Sequence, residues 1–157
     1  MSESKLKLPT EIVELPSKGI VYSKENPLSS GKIEMKYMTA REEDILTNQS
    51  YISNGTVLDK LLETLIVSKI DYNDLIVGDK NALLIAARIL GYGNDYEFTW
   101  RNEKVKVDLS ILDNKKLDKK QFEQGKNEFN FKLPKSEVLI TFKLLTHGDE
   151  QKIEKEL

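Results

Sequence analysis

The chain has no cysteine, one histidine and one tryptophan among its 157 residues. Without cysteine there is no disulfide scaffold, no thiolate nucleophile, and no zinc or iron–sulfur site built on sulfur. The single histidine, His147, excludes a two-histidine metal site within one chain and leaves little room for imidazole catalysis. Neither sign of charge dominates: 24 basic and 26 acidic side chains give a net charge of −2. That balance does not point to nucleic acid or to an anionic membrane. No apolar run approaches the roughly 18 residues that span a bilayer. Residues 1–7 are polar and charged with no apolar stretch behind them, so no targeting signal is expected; the expectation is a cytosolic product, or one that reaches a larger particle without being secreted.

Motifs for catalysis and phosphate binding are missing too. The sequence contains no GxxxxGK[ST] and no GxGxxG between a strand and a helix. Gly91-Tyr92-Gly93 follows a helical pattern, where glycine ends helices. Asp71-Tyr72-Asn73-Asp74 lacks the glycine and closing glutamate of a calcium loop. There is no GxSxG elbow to partner His147, which reads as a loop residue beside a helix cap. The expectation is a protein that is not an enzyme, with no catalytic residue, no metal and no cofactor.

What is present has a clear order. Residues 8–31 read as extended, because Pro9, Pro16 and Pro27 forbid helix interiors and push the residues before them toward extended conformations. Ser17-Lys18-Gly19, Asn26-Pro27 and Ser29-Ser30-Gly31 are turn signals. Lys32–Met38 alternates, with Ile33, Met35 and Tyr37 on one face of a strand. Thr39 and Glu42 form a capping box for a short helix ending near Thr47-Asn48. Thr56 and Asp59 make a similar start for a second, whose apolar stripe is Val57, Leu58, Leu61, Leu62, Leu65 and Ile66. Asp79 is the expected cap of a third, with Leu83, Leu84, Ala87 and Leu90 as its buried face.

After Gly93 the period changes to two. Tyr96, Phe98 and Trp100 alternate with polar residues, as do Val105, Val107 and Leu109, and the short link Asn102-Glu103 predicts a hairpin. Residues 111–127 are polar and irregular, with one helical turn near Phe122. Phe129–Leu133 and Val138–Leu144 form two further strands around the Pro134-Lys135-Ser136 turn. Thr146 and Asp149 box the start of a last helix.

The fold class is therefore α+β. The expected organisation is an extended N-terminal arm at 1–31 followed by a single α+β domain at 32–157. That domain comprises a helical part at 32–93, an antiparallel β part at 94–146 and a C-terminal helix at 147–157. Residues 101–135 carry a net charge of +4, against −4 for residues 1–100 and −2 for 136–157. Lys115, Lys116, Lys119 and Lys120 lie in close order there. They read as a solvated face or, in the rival reading, as a docking patch by which a free-standing binding module takes an acidic partner.

Several stretches in fixed order carry a resemblance. They are Leu15-Pro16-Ser17-Lys18-Gly19 with Tyr22 and Pro27; Gly31-Lys32-Ile33-Glu34 running to Met38-Thr39-Ala40 and Glu42-Glu43-Asp44-Ile45-Leu46; Leu58-Asp59-Lys60-Leu61-Leu62; Gly78-Asp79-Lys80-Asn81-Ala82-Leu83-Leu84; Arg88-Ile89-Leu90-Gly91-Tyr92-Gly93 with Tyr96; and Phe142-Lys143-Leu144-Leu145-Thr146 before Gly148-Asp149-Glu150. From about residue 8 to 150, this series resembles the baseplate hub assembly proteins of contractile-tailed phages of the T-even type. The resemblance implies a non-enzymatic protein of tail assembly, an assembly factor or a hub component. Its implied partners are phage baseplate hub and tape-measure proteins. It implies a place in the host cytoplasm during assembly, or in the virion tail baseplate. Some members carry cysteine pairs after the third helix in a zinc-ribbon pattern. Here Tyr96 to Asp108 has none, so the hairpin is expected to be held by packing of Tyr96, Phe98, Trp100, Val105 and Val107.

The candidate partner-binding residues are Leu15, Pro16 and Tyr22 in the arm and Tyr96, Phe98 and Trp100 in the hairpin, with Trp100 as the anchor if its strand lies at an edge. The arm has a second reading, in which the Leu15–Gly19 turn sets Tyr22 against the chain's own core. No nucleic-acid or membrane partner is expected, and an oligomer is left open.

Overall fold

Strand β1 (Thr10–Glu14) pairs with β2 (Lys32–Lys36) in the first of three two-stranded sheets. The computed structural model to which these elements belong describes residues 9–156. The first eight residues of the expected arm and the last residue of the expected C-terminal helix lie outside the described residues, as does the side chain of Lys119. The remaining elements are α1 (Ala40–Leu46), α2 (Gln49–Ser53), α3 (Val57–Leu65), α4 (Val77–Tyr92), β3 (Asp95–Trp100), β4 (Glu103–Asp108), β5 (Phe129–Lys132), β6 (Leu139–Phe142) and α5 (His147–Glu156). Single 3-10 turns sit at Pro27–Ser30, Tyr72–Asp74, Leu109–Ile111 and Lys119–Gln121. Helices and antiparallel sheets occupy separate stretches, so the class is α+β. No helix among the described residues is long and apolar enough to cross a membrane.

The chain divides into two compact units that interleave in sequence. Within the described residues, the first unit takes 9–13, 33–68 and 82–114, and the second takes 14–32, 69–81 and 115–156.

In the first unit, Ile33 and Met35 are buried on one face of β2 while Lys32 and Glu34 stay exposed, as strand alternation requires. β2 ends at Lys36, short of Met38. The Thr39–Glu42 box forms: the Glu42 carboxylate accepts the Thr39 backbone N–H at 3.0 Å. Helix α2 is an addition to the sequence reading. Its N-cap Asn48 accepts from the N–H groups of Ser50 and Tyr51, and five residues are too few to show a helical period. Leu61, Leu62 and Leu65 are buried on α3, whereas Leu58 is half exposed. Thr56 makes no side-chain cap bond to α3. Leu83 and Ala87 are buried on α4, and of the two candidate stops, Gly91 and Gly93, it is Gly93 at φ +79° that closes the helix.

The β3–β4 turn lies one residue earlier than expected. Trp100 pairs with Glu103, so Arg101 and Asn102 form the two-residue link, both with positive φ (48° and 68°). Positive φ at both central positions is the type I′ signature, whose twist suits antiparallel strands.

In the second unit, only Thr10–Glu14 of the supposedly extended 8–31 stretch is strand, and Glu14 is its sole residue here. Asn26 caps the 3-10 turn that begins at Pro27, where the missing proline N–H costs no bond. Leu15, Ile20, Val21, Tyr22, Leu28, Leu75 and Ile76 are buried. Thr146 and Asp149 make a full capping box: the Asp149 carboxylate accepts the Thr146 N–H at 3.1 Å, and Thr146 Oγ1 accepts the Asp149 N–H at 3.2 Å. β5 and β6 pair Phe129 with Phe142 and Phe131 with Ile140.

Candidate functional site

The candidate residues fall into two groups, one in each unit. In the second unit, Leu15 is completely buried and Tyr22 nearly so, while Pro16 is half buried. The turn after Pro16 wraps an acidic residue from the first turn of α4. Asp79 Oδ1 accepts the Ser17 backbone N–H at 3.0 Å. Its Oδ2 accepts both the Ser17 hydroxyl and the Tyr22 phenol at 2.7 Å. The phenol oxygen in turn accepts the Ile76 N–H at 3.1 Å. Burial, followed by the negative charge of Asp79, pushes the Tyr22 phenol far above its ordinary range, so it remains a donor at any working pH. Asp79 therefore does not cap α4 as expected. It gathers the 15–22 segment instead, and that segment closes the unit's own core.

A second polar group in this unit gives little sign of itself in the sequence. His147, expected in a loop, is the first residue of α5 and is buried. The Lys80 ammonium lies 3.2 Å from Nδ1 and 2.5 Å from the Glu150 carboxylate. An ammonium only donates, so Nδ1 accepts in that pair. The Gln151 amide nitrogen lies 3.0 Å from Nε2. Tyr72 meets the imidazole edge-on at 4.7 Å. The histidine thus locks α5 to the 72–80 stretch. The i, i+4 spacing of His147 and Gln151 is the only trace of this in the sequence.

In the first unit, the hairpin residues are presented outward. Tyr96, Phe98 and Trp100 share one face of β3 and are 43%, 37% and 61% exposed. Val107 and Val105 lie opposite Tyr96 and Phe98 on that face and are half buried. The Tyr96 and Phe98 rings lie 5.7 Å apart with the two valines across from them, so this face packs on itself while staying partly exposed. The hairpin root is fixed by Arg88 of α4, which donates to the carbonyls of Gly93 at 3.0 Å and Asp95 at 3.1 Å. The same guanidinium sits over the rings of Tyr92 and Tyr96 at 5.1 and 5.6 Å. Arg101 lies 5.8 Å over Trp100. Among the described residues β3 and β4 pair only with each other, so each keeps an open outer edge there.

No family model, curated protein or solved structure matches this chain.

The six candidates are thus not one surface. Leu15 and Tyr22 build an interior, and Tyr96, Phe98 and Trp100 build a rooted, solvent-facing aromatic strip. Among the described residues, no three His, Asp or Glu side chains gather as a metal site would need.

Proposed function

We propose that this protein is a phage tail baseplate hub assembly protein, an assembly factor or hub component, that works by binding other proteins. The observation that carries the binding part is the outward aromatic face of the β3–β4 hairpin, with Trp100 at its tip end. Aromatic side chains held rigid and partly dry are the usual anchors of protein interfaces, whereas isolated hairpins gain nothing by exposing them. Two open strand edges beside that face offer backbone hydrogen bonds to an extended partner segment. The ordered series of stretches from residue 8 to 150 supports the assembly setting and names the candidate partners, the hub and tape-measure proteins.

Leu15 and Tyr22 are not part of the proposed surface, because a partner could reach them only by opening the second unit. The experiment is co-expression of this chain with the hub and tape-measure proteins encoded near it, followed by size-exclusion chromatography with mass determination. A co-eluting complex that Trp100→Ala disrupts supports the reading. Separate elution of every component overturns it. Presence in purified virions then separates a permanent subunit from a transient factor.

A further inference from the structure

The second unit contains a cavity of about 740 Å³, within the span of roughly 300–1,000 Å³ typical of small-ligand sites. Its walls are mainly apolar. Ile20 and Val21 come from the 15–22 turn, and Phe122, Phe129 and Phe142 supply a run of rings. Phe122 meets Phe129 edge-on at 5.7 Å, and Phe129 meets Phe142 at 5.5 Å. Phe142 is 50% and Leu144 39% exposed, so apolar wall is left facing solvent at the opening.

The polar groups of the wall differ in what remains available. Both oxygens of Asp79 are taken by Ser17 and Tyr22. The Asp118 carboxylate accepts the Lys120 N–H at 3.1 Å and a Gln121 amide hydrogen at 3.3 Å. Lys115 and Lys116 also line the cavity, are exposed, and form no ion pair or side-chain hydrogen bond among the described residues. Hydrogen bonds thus occupy the two carboxylates of the lining, and the two ammonium groups are left unpaired beside an apolar aromatic wall. That pairing fits a ligand with an apolar body and one negative end.

We propose that this cavity binds a small amphipathic carboxylate, its apolar body against Phe129, Phe142 and Leu144 and its carboxylate on Lys115 and Lys116. The site lies within the second unit and the hairpin within the first, and the proposal assigns a task to Lys115 and Lys116 that the proposed partner face does not use.

The probe is decanoate, titrated calorimetrically into the full chain below its micelle concentration, with decyltrimethylammonium as the matched cation. The expected result is one saturable decanoate site that binds the cation at least about tenfold more weakly and weakens as salt rises. Lys115→Glu with Lys116→Glu is expected to lower decanoate affinity by about tenfold or more without changing the melting temperature, because both side chains are exposed and unpaired. Leu144→Trp, which fills the opening, is expected to lower it as well, and Trp100→Ala to leave it unchanged. Non-saturable uptake, equal binding of the cation, full affinity in the lysine double variant, or loss of binding in Trp100→Ala each overturn the proposal.

Discussion

The Tyr22 phenol donates to the Asp79 carboxylate at 2.7 Å, fifty-seven residues away in sequence, and both groups are buried. The same phenol oxygen accepts the Ile76 N–H, so one side chain satisfies a buried carboxylate and a backbone amide together. Tyr22→Phe removes both bonds while preserving the ring. A buried donor left unsatisfied costs about 1–3 kcal/mol, and the carboxylate loses one of its donors as well. We expect a loss of about 2–3 kcal/mol in urea unfolding. Partner binding through the hairpin should persist in conditions where the variant stays folded. Unchanged stability would show that the bond contributes nothing.

Gly19 and Gly31 face each other across the turn that leads to Tyr22. A Cβ on Gly19 would lie 2.3 Å from the Ser29 carbonyl oxygen, and one on Gly31 would lie 2.7 Å from the Lys18 carbonyl. Both glycines also have positive φ, at 75° and 68°. Gly19→Ala therefore adds a backbone clash to left-handed strain, and we expect at least about 2 kcal/mol of destabilisation. Gly55→Ala is the control, since it also has positive φ but meets nothing within 4 Å, and its cost should stay near 1 kcal/mol. Equal losses in thermal unfolding at the two positions would contradict this account.

Acid should loosen α5 through Asp149. The hydrogen bond from Lys143, then those from Thr146, hold this carboxyl at about 2, below its ordinary 3.8. A carboxyl lowered on folding adds stability that is complete above its unfolded value and is lost as pH falls through the folded one. The window is therefore pH 4 to 2. Glu42 moves in the same direction: burial pushes it up, but hydrogen bonds from Lys36 and Thr39 outweigh burial. Amide exchange across α5, followed from pH 5 to 2, should show progressive loss of protection in the native chain. In Asp149→Asn the Asp149 contribution should already be missing at pH 5, leaving a flatter profile. An unchanged slope would contradict the assignment.

Trp100→Ala should separate binding from stability. The side chain is 61% exposed, so its removal should shift unfolding by no more than about 0.5 kcal/mol. Loss of a central aromatic anchor costs an interface about 2 kcal/mol or more. A normal melting curve together with at least a tenfold loss of partner affinity is the expected pair of results. A large drop in melting temperature would mean that Trp100 supports the fold instead.

Much of the local structure could be read from the chain itself. The β2 alternation, the Thr39–Glu42 and Thr146–Asp149 boxes, the Gly93 stop and the aromatic strand each depend on residues within a few positions of one another. Period and capping are properties of short windows, so they survive in a one-dimensional text. Helix α2 escaped because a single turn carries no period. The hairpin turn was misplaced by one residue because Arg101-Asn102 lacks the glycine that usually marks positive φ.

Other features belonged to the tertiary structure alone. The role of Asp79 depends on Ser17 and Tyr22, and that of His147 on Lys80, partners separated by more than fifty residues. The same holds for the candidate site. Leu15, Tyr22, Phe98 and Trp100 are alike in apolar character, and composition cannot tell which will find walls. The 15–22 turn is buried because a carboxylate on α4 gathers its donors. Arg88 ties the root of the hairpin, and the aromatic face beyond it stays partly exposed. The sequence by itself determined most of the segments that are helix, strand and turn, where period or capping is local. Only long-range pairing decided which apolar faces became core and which remained open to a partner, since burial is a property of what arrives from elsewhere in the chain.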